Sequence, residues 1–472
     1  MTDAAHDLYL FAAVLGLLPA VALAGLPVLA QSAFVALGGV GALKLEQAGL
    51  PIGGAVLIAI ALGTVAGALT GLLVGRTPPA FVALATWALT WLAYTALLDF
   101  PALAGGTEGL TRPAFDRVQT PFGAALELTP TVHLVGAVVL CALAYALVAR
   151  LRGGPLGSDA LALRDDAELA ASVGVPIPAR KAALLALCGA TSAAAGAGIA
   201  ILLGVAAPAD AAPLLALQLL AAAIAGARHP LLGLVAIVVL QRTPDLVTPL
   251  ALLAAVALRP VPKPAVDAID PPAPVPPLEP VTGRITARDL HVTLGGRPIL
   301  RGLDLDVEPG EIHALVGANG SGKTTALRAL GVPHTFQRAA GFPSLTPYRQ
   351  VLVALRARFH DPRAWTYLRL VGVDPFATTL TAGERRLLDV ARIAATGAPA
   401  LAFDEPAVGM SASERGRLEA ALRALADSGR AILVVEHDLR FVAALADRVT
   451  VIDDGRVVTG DPQAAIERVY LT

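Results

Sequence analysis

Charged side chains are scarce in this chain of 472 residues: they make up 15%, against 56% hydrophobic residues and a mean hydropathy of +0.67. Such a balance excludes an ordinary soluble globular protein. Cysteine is nearly absent. Cys141 and Cys188 both fall in apolar stretches without metal-ligand spacing, which excludes a disulfide framework and reads as core packing. A positive excess is missing too: residues 1–283 hold 13 Lys+Arg and 16 Asp+Glu, and residues 284–472 hold 23 and 21. Neither half has the balance of a nucleic-acid binder. The opening Asp3, His6 and Asp7 lack a basic n-region, so no cleavable signal peptide is expected there. Lysine is rarest where it is most informative, since Lys323 is the only one between Arg284 and Thr472.

The apolar excess lies in the first half. Runs from Leu8 to Leu29, Ile52 to Val74, Ala80 to Leu98, Thr131 to Ala149 and Ala182 to Ala206 each approach the roughly 20 residues needed to cross a hydrocarbon core. Shorter runs at Ser32 to Leu43, Ala212 to Gly226, Leu231 to Leu240 and Leu246 to Leu258 fit tilted, broken or re-entrant segments, which require surrounding protein or a cavity. Arg150, Arg152, Arg164, Arg180 and Lys181 cluster between two long runs, and Arg76, Arg228, Arg259 and Lys263 flank others. Placing them on the cytoplasmic side follows the positive-inside tendency and leaves Asp99 to Pro130 facing outward. The side of the N-terminus turns on whether Ser32 to Leu43 crosses.

Gly63, Gly67, Gly71 and Gly75 recur every four residues, extended backward by Ala59 and Ala55; a weaker copy runs Ser192, Gly196, Ala200, Gly204. On a helix each set forms one stripe along which another backbone can approach closely. Helix packing is the plainer reading, and lining of a path the other. Nine prolines between Pro260 and Pro280 describe an extended, semi-rigid tether and a domain boundary.

Beyond the tether, Gly317-Ala318-Asn319-Gly320-Ser321-Gly322-Lys323-Thr324 has the form G-x-x-x-x-G-K-[ST], with an apolar run before it and a helix-compatible run, opening at Thr325, after it. In that context the loop's N–H groups cradle phosphate oxygens, Lys323 reaches the β/γ-phosphates of ATP and the Thr324 hydroxyl can ligate Mg²⁺. A compact ammonium suits this position better than a guanidinium, which fits the survival of one lysine in an arginine-rich half.

Further motifs follow in the order of an ABC ATPase. Ala400-Leu401-Ala402-Phe403-Asp404-Glu405 is an apolar strand ending in two carboxylates, Asp404 to hold Mg²⁺ through water and Glu405 to polarise the attacking water. Leu380-Thr381-Ala382-Gly383-Glu384 resembles the LSGGQ-type signature, which implies that Thr381 and Gly383 bind the γ-phosphate of ATP held by the opposite subunit. His437 after a second apolar strand resembles the switch histidine, and Gln337 resembles the Q-loop glutamine that senses Mg²⁺ and the membrane domain.

Residues Leu380 to Met410 and the ending Glu436-His437-Asp438…Tyr470-Leu471 resemble the ATPases of branched-chain (hydrophobic) amino-acid ABC importers. In the first half, Gly105-Gly106-Thr107-Glu108-Gly109-Leu110 is similar to an outward-loop motif of that family's permeases. Leu163 to Ala170, then Val173-Gly174-Val175 and Lys181, resemble their cytoplasmic coupling loop. The resemblance implies a multi-domain chain: a polytopic α-helical permease at 1–258, a Pro-rich linker at 259–283, and an α/β P-loop ABC ATPase at 284–472 with shortened β and helical subdomains. It implies a multi-pass protein of the bacterial inner membrane, with its ATPase in the cytoplasm and contact with lipid. It also implies an ATP- and Mg²⁺-dependent import cycle for a small polar solute, a branched-chain or other amino acid, delivered by an extracytoplasmic solute-binding protein. A second, related permease/ATPase chain, or a second copy of this one, completes the machine; no nucleic acid is involved.

Three features depart from the family pattern. Only 13 residues separate Lys323 from Gln337, where the family places an antiparallel β-segment. The helical region between Gln337 and Leu380 is short. Leu294, before Gly295-Gly296, stands where an aromatic usually stacks on adenine, offering apolar contact but no π-face. Two competing readings are an exporter half-transporter, which shares the membrane-then-ATPase order, and a membrane receptor or scaffold that binds nucleotide with little turnover. Exporter spans continue as long polar helices that this sequence lacks, and Glu405 and His437 favour turnover over mere binding.

Overall fold

The computed structural model describes residues 1–112, 118–119, 125–227, 229–257, 271–318, 320–335, 341–357 and 360–458. Asn319, Gln337, Arg228, Arg259, Lys263 and the Tyr470-Leu471 ending lie outside them. The chain divides into two units: Met1–Arg164 with Pro176–Pro262, and Asp165–Val175 with Lys263–Thr472.

The first unit is helical. Its longer helices are α1 (Thr2–Leu18), α2 (Gln31–Gln47), α3 (Ile52–Leu73), α4 (Pro79–Asp99), α5 (Pro130–Arg152), α6 (Pro155–Asp165), α7 (Ile177–Leu203), α8 (Pro213–Gly226), α9 (Pro230–Leu240) and α10 (Val247–Ala257). Five are long and apolar enough to cross a membrane: α1 with the π-helical turn that continues it to Leu23, α3, α4, α5 and α7. α1 and α7 are mostly buried, whereas α3, α4 and α5 expose apolar faces bearing Leu69, Trp91 and Leu143. That is the arrangement of a bundle whose periphery meets hydrocarbon rather than water.

The run from Leu8 to Leu29 is not one continuous span. The helix ends at Leu23 because Gly25 takes a left-handed φ of 68° and Pro27 cannot continue it. Residues 24–30 are irregular and alternate between buried and half-buried, and α4 satisfies part of their backbone: Leu29 N–H donates to Thr86 Oγ1 at 3.0 Å, and Thr90 Oγ1 donates to Leu29 O at 2.5 Å. Such backbone is tolerated in a bilayer only where protein encloses it. α2 then starts inside the bundle and, at 17 residues, is about 26 Å long.

The glycine stripe of α3 packs against α7. A Cβ on Gly67 would lie 2.1 Å from Leu185 O, and one on Gly71 2.5 Å from Ala182 Cα. Both obstacles are backbone and cannot yield. Gly67→Leu is therefore expected to cost more than about 3 kcal/mol and to abolish recovery of folded protein. Normal yield and melting temperature for that variant would show that the stripe does not carry this contact. In the outward-loop motif, Gly109 has φ 77°, and a Cβ there would meet Ala206 O at 2.5 Å, beside the two-residue strand pairing of Leu110–Thr111 with Val205–Ala206.

In the second unit a hairpin of β1 (Ile285–Leu294) and β2 (Arg297–Val307) precedes a five-stranded sheet. The sheet contains β3 (Ile312–Val316), β4 (Ala400–Asp404), β5 (Ala431–Val435), β6 (Arg448–Asp453) and β7 (Arg456–Val457), in the order β7-β6-β3-β5-β4. All neighbours are parallel except β6 and β7. β3, β4 and β5 are buried throughout, as continuous apolar runs in a covered parallel sheet should be. The helices are α11 (Lys323–Ala329), α12 (Pro347–Leu355), α13 (Arg363–Val371), α14 (Ala382–Ala395), α15 (Ala412–Asp427) and α16 (Leu439–Leu445).

Between Lys323 and Thr335 the described residues hold only α11 and an isolated bridge from His334 to Ala402, which matches a shortened β subdomain. Residues 271–283 have no regular structure but are not a free tether. Thr366 donates to Pro276 O at 2.7 Å, Arg430 to Glu279 O at 3.1 Å, and Val281 N–H to Ser428 O at 2.8 Å. Proline-rich backbone keeps its carbonyls, so Pro276 and Glu279 accept from the ATPase surface, while Val281, beyond the prolines, donates to it.

Candidate functional site

The C-terminal ends of the parallel strands converge on one cradle. β3 delivers the chain to the loop at 317–322, whose end is left-handed at Gly320 (φ 85°) and Gly322 (φ 105°), the latter being the N-cap of α11. A Cβ on Gly317 would stand 2.2 Å from Ile452 O, so the loop lies flat against β6 only because glycine is there. Lys323 is buried and donates to Gly317 O at 2.7 Å and Ala318 O at 2.8 Å. Burial lowers its pKa, and the nearby Glu405 and Asp404 charges oppose that shift. Ser321 Oγ is buried without a hydrogen-bond partner among the described residues, as a phosphate-cradle hydroxyl would be. Thr324 and Thr325 stand in the first turn of α11, behind those residues.

β4 brings the paired carboxylates. Asp404 is buried; its Oδ2 accepts from Thr324 Oγ1 at 3.1 Å, and its N–H donates to Thr335 Oγ1 at 3.0 Å. Burial pushes its pKa up, against the Thr324 hydrogen bond. Glu405 occupies a left-handed φ of 46°, costly for a non-glycine residue and held from both sides. Its N–H donates to Val435 O at 2.8 Å, and its carbonyl accepts from Arg386 at 2.9 Å. His437 follows β5, half exposed, with Nδ1 3.8 Å from Glu405 Oε1 and from Glu436 Oε2. Glu436 is buried and accepts from Ala407 N–H at 2.9 Å, tying the turn after Glu405 to β5. Oxygen ligands from a hydroxyl and a carboxylate, joined by phosphate and water, suit Mg²⁺.

Thr381 and Gly383 lie elsewhere, at the start of α14. Thr381 caps that helix, and Glu384 in turn accepts from Thr381 N–H. Thr381 Oγ1 also donates to Glu414 Oε1 at 2.9 Å. Leu294 is exposed at the end of β1, beside the hairpin turn.

The charge cluster at 164–168 splits into distinct roles. Arg164 belongs to the helical unit, where it donates to Ala22 O at 2.6 Å. Asp165 belongs to the ATPase unit and accepts from Ser344 N–H at 2.8 Å and Ser344 Oγ at 2.9 Å. Asp166 caps the short helix Ala167–Ser172 through Leu169 N–H, and Glu168 is exposed. The loop carrying Ser344 is fixed by Gln350, which donates to Phe342 O at 3.1 Å and Leu345 O at 3.0 Å. Gln350 in turn accepts from the buried Arg392 at 2.7 Å. Arg392 also pairs with Asp389 and lies 5.3 Å over the Phe342 ring. A cavity of about 310 Å³ separates this loop from the signature, lined by Phe342, Leu345, Gln350, Thr379, Leu380 and Arg385. Sequence reasoning missed Ser344, Gln350, Arg392 and Glu414. Only Glu414 had a local signal, because Ser411-x-x-Glu414 spells a capping box.

A family described as branched-chain amino acid transport system / permease component matches residues 7–256, and one described as ABC transporter matches residues 300–338. The chain belongs to that permease family. It is an import-type ABC permease fused to its own ATPase, a multi-pass membrane protein with a cytoplasmic ATP hydrolase that drives transport. The ATPase half is similar to the aliphatic sulfonates import ATP-binding protein SsuB 3 of Nocardia farcinica: 35% identity over 196 residues, covering 37% of this chain and 79% of that protein. It is also similar to the hemin import ATP-binding protein HmuV of Streptomyces coelicolor: 33% identity over 235 residues, covering 41% and 84%. Among solved structures, the ADP conformation of the ABC-transporter cassette MJ1267 aligns at 19% identity and a TM-score of 0.34, covering 40% of this chain and 99% of that one.

Proposed function

We propose that this transporter imports branched-chain or other amino acids across a bacterial inner membrane. In this reading an extracytoplasmic solute-binding protein delivers the substrate, and a second, related permease/ATPase chain completes the complex. The observation that carries the ATPase side is the convergence of Lys323, Thr324, Asp404, Glu405 and His437 on one cradle. The permease family description supports the substrate class. ATP binds along the loop at 317–322, with Lys323 on the β/γ-phosphates and Leu294 offering an apolar surface to the base. Thr324 and Asp404, with Gln337, hold Mg²⁺, which when bound offsets charge on the phosphoryl oxygens. Glu405 orients the attacking water, and His437, 3.8 Å away, senses the γ-phosphate side of the cradle. Thr381 and Gly383 contribute to the nucleotide of the partner chain. The exporter reading loses its support once the helical half matches an importer permease family.

Lys323→Ala tests the cradle. No other lysine exists in this half, and a charge-assisted hydrogen bond contributes about 1.5–3 kcal/mol. Affinity for a labelled ATP analogue should fall at least about tenfold; unchanged equilibrium binding would reject the assignment.

A further inference from the structure

In the helical unit, polar side chains are few and mostly satisfied. Gln218, for example, donates to Leu240 O and accepts from Gln241 at 2.6 Å. Gln31 and Ser192 are the exceptions that matter. Both are fully buried, and among the described residues Ser192 Oγ has no hydrogen-bond partner and the Gln31 amide has none of normal strength. The polar neighbour of the Gln31 amide is the Cys188 thiol, a weak partner.

The two residues belong to one place. α2 and α7 run side by side. Gly39 stands against Ala200 and Gly196, and a Cβ on Gly196 would meet Val35 O at 1.9 Å. One turn back along both helices, Val35 gives way to Gln31 and Gly196 to Ser192. Gln31 is also the first residue of α2, which begins after the irregular segment 24–30 with Ala30, lacking a capping side chain, as N-cap. The first intrahelical bond is Phe34 N–H to Ala30 O. The N–H groups of Gln31, Ser32 and Ala33 therefore point out of the helix end with no acceptor among the described residues. Ser192 is the sixteenth of the 27 residues of α7, so this cluster lies roughly 22 Å along a helix of about 40 Å, near mid-membrane.

We infer that the start of α2, with Gln31 and Ser192, is a substrate site that receives the carboxylate of the transported solute. Three aligned N–H donors and the positive end of a 17-residue helix favour an anion. The Gln31 amide and the Ser192 hydroxyl supply adaptable donors and acceptors beside it. An enclosed half-helix terminus at membrane depth is where transporters place anionic substrate groups. Polar atoms left unpaired in a core also cost stability unless a ligand uses them. This site rests on the importer reading and locates within the bundle the group that receives the carboxylate of its amino-acid substrate.

The test uses the complete complex in proteoliposomes with its binding protein, offered L-leucine, leucinol, urea and D-ribose. Leucinol keeps the side chain and amine of leucine but has no carboxylate. Leucine uptake without leucinol uptake is expected, reduced at least tenfold by Gln31→Leu and about threefold by Ser192→Ala. The melting temperature of Gln31→Leu should be unchanged or higher, because an apolar side chain replaces an unpaired amide; unfolding then cannot explain the lost uptake. Undiminished leucine uptake by Gln31→Leu would overturn the site and leave the importer reading standing. Uptake of leucinol equal to leucine, or of urea or ribose in place of leucine, would overturn the carboxylate class. Uptake of none of them would overturn the site together with the proposed import function.

Discussion

Replacing Glu405 by Gln is expected to cut ATP turnover by about 10²–10³-fold, within the range lost when a general base is removed, while nucleotide affinity stays near the parent value. The substitution keeps the shape of a residue whose backbone is already constrained. Glu405 sits at φ 46°, anchored through its N–H to Val435 O and through its carbonyl to Arg386. Neither bond involves the side chain, so the amide should occupy the same place. What changes is charge. A carboxylate 3.8 Å from His437 Nδ1 can orient a water and accept its proton; an amide can do neither well. Phosphate release and equilibrium ATP binding, measured on the same preparation, separate the two effects. Turnover at the parental rate would remove Glu405 from the chemistry.

Reversing Asp165 should uncouple the machine. Asp165→Lys is expected to lower substrate uptake by about a hundredfold while hydrolysis continues, in keeping with the loss of two hydrogen bonds to a charged group at about 1.5–3 kcal/mol each. Its carboxylate takes both donors of Ser344, N–H and Oγ, on a loop held by Gln350 and Arg392. A lysine ammonium there has no lone pair to accept from Ser344 N–H, so that buried donor is left opposite another donor. Asp166→Lys removes a helix cap, a loss of about 1 kcal/mol, and the favourable charge near the buried Arg392, but no bond to Ser344, and should be the milder change. Ser344→Ala keeps the backbone donor and should fall between them. Uptake measured beside phosphate release in liposomes decides the matter. If uptake tracks hydrolysis in Asp165→Lys, the segment 165–175 is an ordinary surface loop.

The reach of sequence reading differed between the two halves for a physical reason. In the ATPase, contiguous stretches carry both local geometry and chemistry: glycines at 317, 320 and 322 bend a loop whose next residue is Lys323, and an apolar strand ends in Asp404 and Glu405. Parallel strands bring such ends to one edge by construction, so the cradle was legible before the structure. Ser344, Gln350 and Arg392 were not. Their roles come from which loops meet, and nothing in the spacing of 344, 350 and 392 announces a shared network.

In the membrane half, hydropathy marked the long spans, because a bilayer imposes length and apolarity on each segment separately. It misjudged the run from Leu8 to Leu29, where Gly25 and Pro27 end the helix and Thr86 and Thr90, more than fifty residues away, satisfy the freed backbone. The glycine stripe of α3 was readable as a contact surface, but only the packing showed that α7 fills it.

The amino-acid sequence by itself determined that the chain is an apolar helical domain followed by a phosphate-binding α/β domain, since hydropathy, backbone freedom and motif spacing are local properties. The tertiary structure decided that Asp165 belongs with Ser344 and that Gln31 and Ser192 are both fully buried, with polar atoms that lack a strong partner among the described residues. Burial and hydrogen-bond satisfaction belong to the assembled fold, and no single segment carries them.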